Sequence, residues 1–174
     1  MHAQTRGRPA PAPSRYSFTF KVDTASLPQG VSVREVASGQ SIRYFIKNTS
    51  HVPLIVNQRH QKDRLVSGNK LVSGKVYQYF PDGVPMEGQR HLKGWQAPFG
   101  EIKETVLALQ EPSKIYDGRK PGLGRDVPPA EPYAVPATFN GQPFQIQGTV
   151  HYQLNKAYDA YHPTKTGKDL PPGR

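Results

Sequence analysis

The chain is 174 residues long, with 35% hydrophobic residues, 16 glycines, 18 prolines, a net charge of +10 and no cysteine. That size allows one sandwich-sized domain with tails, or at most two very small domains, and the low apolar share predicts an ordinary core wrapped in long loops and extended arms. Structural disulfides, thiolate zinc sites and cysteine nucleophiles are excluded, while the basic balance favours acidic partners: nucleic acid, an anionic membrane surface or an acidic protein assembly.

Residues 1–15 form a predicted arm. Pro9-Ala10-Pro11-Ala12-Pro13 favours polyproline II, and Arg6, Arg8 and Arg15 add positive charge with no acid. The start, Met1 to Arg8, has no apolar signal core, so the protein is either not exported by that route or lost its leader before Met1. Residues 16–22 are the first strand, with Tyr16, Phe18, Phe20 and Val22 on one face. A turn at Leu27-Pro28-Gln29-Gly30 precedes strands at 31–36, 41–47 and 52–56, the last with Pro53 confined to an entry or edge position. Residues 57–75 are polar and basic. Their echo, Leu65-Val66-Ser67-Gly68 and Leu71-Val72-Ser73-Gly74, reads as a hairpin turning at Gly68-Asn69.

Residues 75–80 are a strand stopped by Pro81-Asp82-Gly83, and residues 84–101 read as a long loop from which Trp95 and Phe99 fold back onto the core. Residues 102–109 fit a helix through Ile102, Val106 and Leu109, and a strand through Thr105, Val106 and Leu107; we read a strand. Residues 111–136 read as an irregular excursion, because Pro128, Pro129 and Pro132 oppose regular structure. Asn140-Gly141 is the strongest short hairpin signal and joins a short strand at 137–139 to a long one at 144–155. In that long strand Phe144, Ile146, Gly148, Val150, Tyr152 and Leu154 share the dry face, and Gln145, Gln147, Thr149, His151, Gln153 and Asn155 the wet one. Residues 156–174, with Pro163, Pro171 and Pro172, form a second arm.

Seven to eight strands with little helix predict a mainly β chain, a single antiparallel β-sandwich over 16–155 between arms at 1–15 and 156–174. The run from Gly39-Gln40-Ser41-Ile42 through Lys47-Asn48-Thr49-Ser50-His51-Val52-Pro53-Leu54 resembles immunoglobulin-like domains, in which a strand ends in an Asn-x-Ser turn and the next opens on Pro and an aliphatic residue. The final strand, with Val150 and Tyr152, is similar to the closing strand of such domains. The resemblance covers 16–56 and 137–155, implies an immunoglobulin-like fold, and brings no active site; the Cys-Trp-Cys signature of antibody domains is absent.

The histidines, His2, His51, His60, His91, His151 and His162, show no close ligand pair; His60 with Asp63 and His91 is the one set that loops could bring together. No metal or cofactor is expected. There is no Gly-x-Ser-x-Gly elbow, and Gly118-Arg119-Lys120-Pro121-Gly122-Leu123-Gly124 lacks the Gly-Lys-Ser/Thr ending of a phosphate loop. The acids are scattered, so a paired-carboxylate hydrolase has no support. Asn48-Thr49-Ser50 matches a glycosylation sequon, but an Asn-led turn explains it fully. Tyr77 and Tyr79 fall on the face opposite Val76, Gln78 and Phe80, so one set lines a surface.

The lysines and arginines are scattered with no run of five, whereas nucleic-acid modules cluster them and interleave aromatics. The arms decide the reading. We expect a non-enzymatic structural subunit of a large assembly, a virion accessory or capsid-decorating protein whose arms lace neighbouring subunits in a homo-oligomer or particle lattice. The expected partner-binding residues are Arg6, Arg8, Arg15, Tyr158 and Tyr161, since aromatic anchors bury much area at low entropy cost. No membrane span is expected, as no apolar run nears ~20 residues. A secreted or surface immunoglobulin-like binding module, extracellular or periplasmic, is the alternative. A basic component of a ribonucleoprotein comes third.

Overall fold

A computed structural model describes residues 14–39, 41–84, 92–97, 101–117 and 127–155. The elements are β1 (Tyr16–Val22), a 3-10 turn (Thr24–Ser26), β2 (Val31–Ser38), β3 (Ser41–Asn48), β4 (Leu54–Gln61), β5 (Arg64–Val72), β6 (Lys75–Val84), β7 (Leu92–Gln96), β8 (Glu104–Val106), α1 (Ser113–Asp117), β9 (Glu131–Phe139) and β10 (Gln142–Leu154). The protein is mainly β, in two antiparallel sheets. The larger runs β1-β10-β9-β4-β5-β6-β7 and the smaller β2-β3-β8. By its contacts the chain forms two compact units, one of Phe20–Gln110 with Pro132–Thr149, the other of Met1–Thr19 with Glu111–Glu131 and Val150–Arg174.

In the first unit alternation sets the core. Tyr44, Ile46 and Asn48 of β3 are buried, while Arg43, Phe45 and Lys47 lie on the opposite face. Leu54 and Val56 of β4, Leu71 of β5, Val76 of β6, Val135 and Ala137 of β9 and Ile146 of β10 are buried as well. The Phe20 ring meets Tyr44 and Tyr133 edge-on, at centroid distances of 6.0 and 5.2 Å. The Tyr44 hydroxyl accepts a 2.6 Å hydrogen bond from the Phe20 amide.

Three two-residue turns shape the large sheet. Lys62-Asp63 joins β4 to β5, Ser73-Gly74 joins β5 to β6, and Asn140-Gly141 joins β9 to β10, all with positive φ at both residues. That is the type I′ geometry, whose twist matches paired strands. The turn expected at Gly68-Asn69 does not form. Both residues lie inside β5, where Asn69 pairs with Val56 and with Gln78. Of the two Leu-Val-Ser-Gly copies, only the second turns.

Other expectations shift for physical reasons. Pro81-Asp82-Gly83 does not stop β6, which absorbs Pro81 at a register irregularity between Phe80 and Val84. The expected loop at 84–101 contains β7, so Trp95 reaches its neighbours as a strand residue; Phe99 lies outside the described residues. The region 102–109 holds only a three-residue strand, Glu104–Val106, after which the Leu107 amide donates to Tyr44 O at 2.7 Å. The excursion at 111–136 holds α1 and the start of β9. Pro132 and Pro136 fit inside β9 because β4 pairs with it only at Thr138 and Phe139. Their shared parity places both missing N–H groups on one strand edge.

Asn48 is completely buried. Its side-chain amide donates to Val52 O (2.7 Å) and Leu71 O (2.8 Å), and its Oδ1 accepts from the Ser50 amide (3.0 Å) and hydroxyl (2.7 Å). The expected Asn-led turn is present, and the amide nitrogen that a glycan would need is spent inside the fold. Asn57, at φ 57, sits where β4 shifts register. It donates to Asn69 Oδ1 (2.9 Å) and Val106 O (2.7 Å) and accepts from the Ala108 amide (2.8 Å).

In the second unit Ser14, Tyr16, Ile115, Val150 and Tyr152 are buried. Ser14 Oγ donates to Ile115 O at 3.0 Å, and the Tyr152 hydroxyl donates to the Glu131 carboxylate. The dry face expected for the long strand holds through Tyr152. Leu154, at the strand's end, is 51% exposed instead.

Candidate functional site

Two places draw chemistry together, and each lies within one unit. The first is where the described chain begins and ends. The Asn155 amide donates to Arg15 O at 2.8 Å, and its side chain donates to Ser14 O at 2.9 Å. The described chain therefore begins and ends at adjacent points, preceded by residues 1–13 and followed by residues 156–174. The first carries Arg6 and Arg8 with no acid; the second carries Lys156, Lys165, Lys168 and Arg174 against Asp159 and Asp169. Of the expected partner-binding residues, only Arg15 falls within the described chain, half-buried beside this junction. Arg6, Arg8, Tyr158 and Tyr161 lie outside the described residues.

The second place is the face of β5, β6 and β7 opposite the buried one. Leu71 and Val76 pair across the strands and point inward, so Lys70 and Tyr77, which pair next to them, point outward. Tyr79 shares the parity of Tyr77 and pairs with Trp95. The Lys70 ammonium stands 5.4 Å from the Tyr77 ring centroid and 5.2 Å from that of Trp95. Tyr79 and Trp95 meet edge to face, 5.0 Å apart at 61°. Gly68 adjoins the cluster, since a Cβ there would lie in ordinary van der Waals contact with the Trp95 ring at 3.5 Å. All four side chains are half-buried, and exposed Lys75 and Lys93 stand two residues from Tyr77 and Trp95. Strands β5 and β7, and residues 75–81 of β6, contain no acid.

The expectation that Tyr77 or Tyr79 lines a surface is met, but the cluster was out of sequence view. It spans 70 to 95, and a strand broken at Gly68-Asn69 with Trp95 in a loop cannot bring its members together. The available signal was the alternation Gly68, Lys70, Val72 set against Tyr77 and Tyr79.

The small sheet carries one exposed ion pair. Arg34 Nε donates to both Glu104 oxygens, at 3.1 and 2.9 Å, and its guanidinium lies 4.9 Å over the Phe45 ring. This hydrogen bond lowers the Glu104 carboxyl pKa and raises that of Arg34. Among the described residues no three His, Asp or Glu groups stand close enough to hold a metal ion; His60 and Asp63 are exposed, and His91 lies outside those residues. No described helix is long and apolar enough to cross a membrane. No protein-family model, curated protein or solved structure matches the chain.

Proposed function

We propose that the chain is a non-enzymatic structural subunit of a large assembly, a virion accessory or capsid-decorating protein in which a strand-built body carries two basic ends that reach neighbouring subunits. The observation that carries the reading is the Asn155 bridge to Ser14 and Arg15. It holds Asn155 against Ser14 and Arg15, the residues from which the two ends continue, so both ends can engage the same neighbour. Linking two contacts raises the effective concentration of the second. Within the β class an immunoglobulin-like arrangement is part of the proposal, supported by paired antiparallel sheets and the buried Asn48 turn.

The test is native mass analysis of the particle from which the full chain is purified. Several copies bound to a common lattice are expected. Arg6→Glu with Arg8→Glu, or Tyr158→Ala with Tyr161→Ala, should lower occupancy without lowering the melting temperature. A monomer free of any particle, or unchanged occupancy in both double variants, would overturn the reading in favour of a free-standing secreted or surface binding module.

A further inference from the structure

We infer that the outer face of β5, β6 and β7 binds single-stranded nucleic acid, with bases stacking on Tyr77, Tyr79 and Trp95 and phosphates meeting Lys70, Lys75 and Lys93. The inference is independent of how the chain ends are used. Ring surfaces set among cations on a sheet are what a sequence-tolerant single-strand platform needs, because every base has a π-face and every linkage a phosphate. Lys70 and Lys75 share this face with the tyrosines, exposed Lys93 lies two residues from Trp95 on the next strand, and β5, β7 and residues 75–81 of β6 contain no acid.

Geometry selects a single strand over a duplex. Tyr77 and Tyr79 are two residues apart, about 7 Å along a strand, well beyond the ~3.4 Å rise between stacked bases of a duplex. Bases on neighbouring rings must be splayed. Tyr79 and Trp95 meet edge to face at 61°, which covers at most one face of one ring and leaves each ring a face clear of the other. Lys70 stands over Tyr77 and Trp95 and keeps a positive charge where a phosphate would pass between them. An acidic protein is the weaker fit: protein interfaces favour arginine and disfavour lysine, and charge alone leaves the rings without a role.

Trp95 is the only tryptophan and reports directly on the site. The full chain is titrated with a thymidylate single strand of about 12 nucleotides, within the ~4–16 nucleotides such platforms cover. Saturable quenching of Trp95 emission is expected. The affinity should fall with salt at a log-log slope of about −2, from ~0.7 per phosphate at three lysines. Tyr77→Ala and Tyr79→Ala should each weaken binding about 5- to 150-fold, the range for losing one stacked base. Lys75→Glu with Lys93→Glu, both exposed, should weaken binding and flatten the slope in a protein whose circular dichroism and melting are unchanged, which keeps the test valid if a tyrosine variant unfolds. The proposal is overturned if no binding occurs at low salt, or if binding leaves Trp95 emission and the lysine variant's affinity unchanged. It is equally overturned if polyglutamate quenches and competes as well as the oligonucleotide, which would assign the face to an acidic protein.

Discussion

Replacing Gly148 with alanine should destabilise the protein, against the usual preference for alanine in a strand. Gly148 lies in the middle of β10 and its φ is outside the left-handed region, so backbone freedom does not require glycine. Space does. An ideal Cβ at 148 would lie 2.5 Å from the Phe20 ring and closer still to the Lys21 carbonyl oxygen, with the Lys21 carbonyl carbon at 3.0 Å. The ring is buried against Tyr44 and Tyr133 and cannot swing away. The carbonyl belongs to β1, and the adjoining Asp23 amide donates to Gln147 O at 2.8 Å. Overpacking a tight site costs about 1–3 kcal/mol, and this one belongs near 3. Removing a strand glycine returns about 0.5–1 kcal/mol, leaving a net loss of about 2 kcal/mol. In urea, with a slope of ~2 kcal/mol per molar, the midpoint should fall by about 1 M with the slope unchanged. Gly74→Ala is the control: nothing lies within 4 Å of its Cβ, and at φ +72 it should lose only about 1–2 kcal/mol of left-handed backbone energy. A Gly148→Ala midpoint at or above that of the native chain would refute the close approach.

Asn48→Ala should cost about 4 kcal/mol by urea denaturation, since four hydrogen bonds of about 1 kcal/mol each are lost. Val150→Asp should cost several kcal/mol, on the order expected for an unpaired charge in the core, while His151→Ala should stay within ~0.5 kcal/mol; equal thermal shifts would mean the strand is buried on both faces. Burial raises the pKa values of Tyr44 and Tyr133 above the ordinary tyrosine value. Their stabilising effect is fully present below the unfolded value of about 10 and is lost as pH rises from there through the folded values. A spectrophotometric titration should show tyrosines that ionise only after the others, and Tyr44→Phe should reduce that late fraction.

The fold was legible wherever strand pattern and turn chemistry agreed. The alternation at 144–155 found β10 and its buried face, and Asn140-Gly141 supplied the hairpin in front of it. The failures share a cause. Lys62-Asp63 forms a type I′ turn with no glycine or asparagine to announce it. Gly68-Asn69 carries the turn-like composition but lies in mid-strand, where Asn69 pairs with Val56 and Gln78. A displaced turn removes the strand between the two sites from view. Proline misled in the same way. Pro81 and Pro132 read as breakers in the sequence, yet each occupies a strand position where a bulge or an unpaired edge excuses the missing N–H.

Sites suffer more from such errors than folds do. Ile46 or Val150 can be assigned to a core from its own strand alone. Lys70 becomes a neighbour of Tyr77 and Trp95 only through two successive registers, Lys70 to Tyr77 and Tyr79 to Trp95. A one-residue slip in either would send part of the cluster to the buried face. One feature holds the first register and another seats β5 itself. Ser73-Gly74 sets the first by closing a two-residue turn at Val72 and Lys75. Asn57, bonded to Asn69, Val106 and Ala108, anchors β5 at the position just before Lys70. The exposed lysine–aromatic face therefore depends on a polar clamp on the opposite side of the sheet, so Asn57→Ala should disturb Trp95 emission although the two side chains belong to different strands.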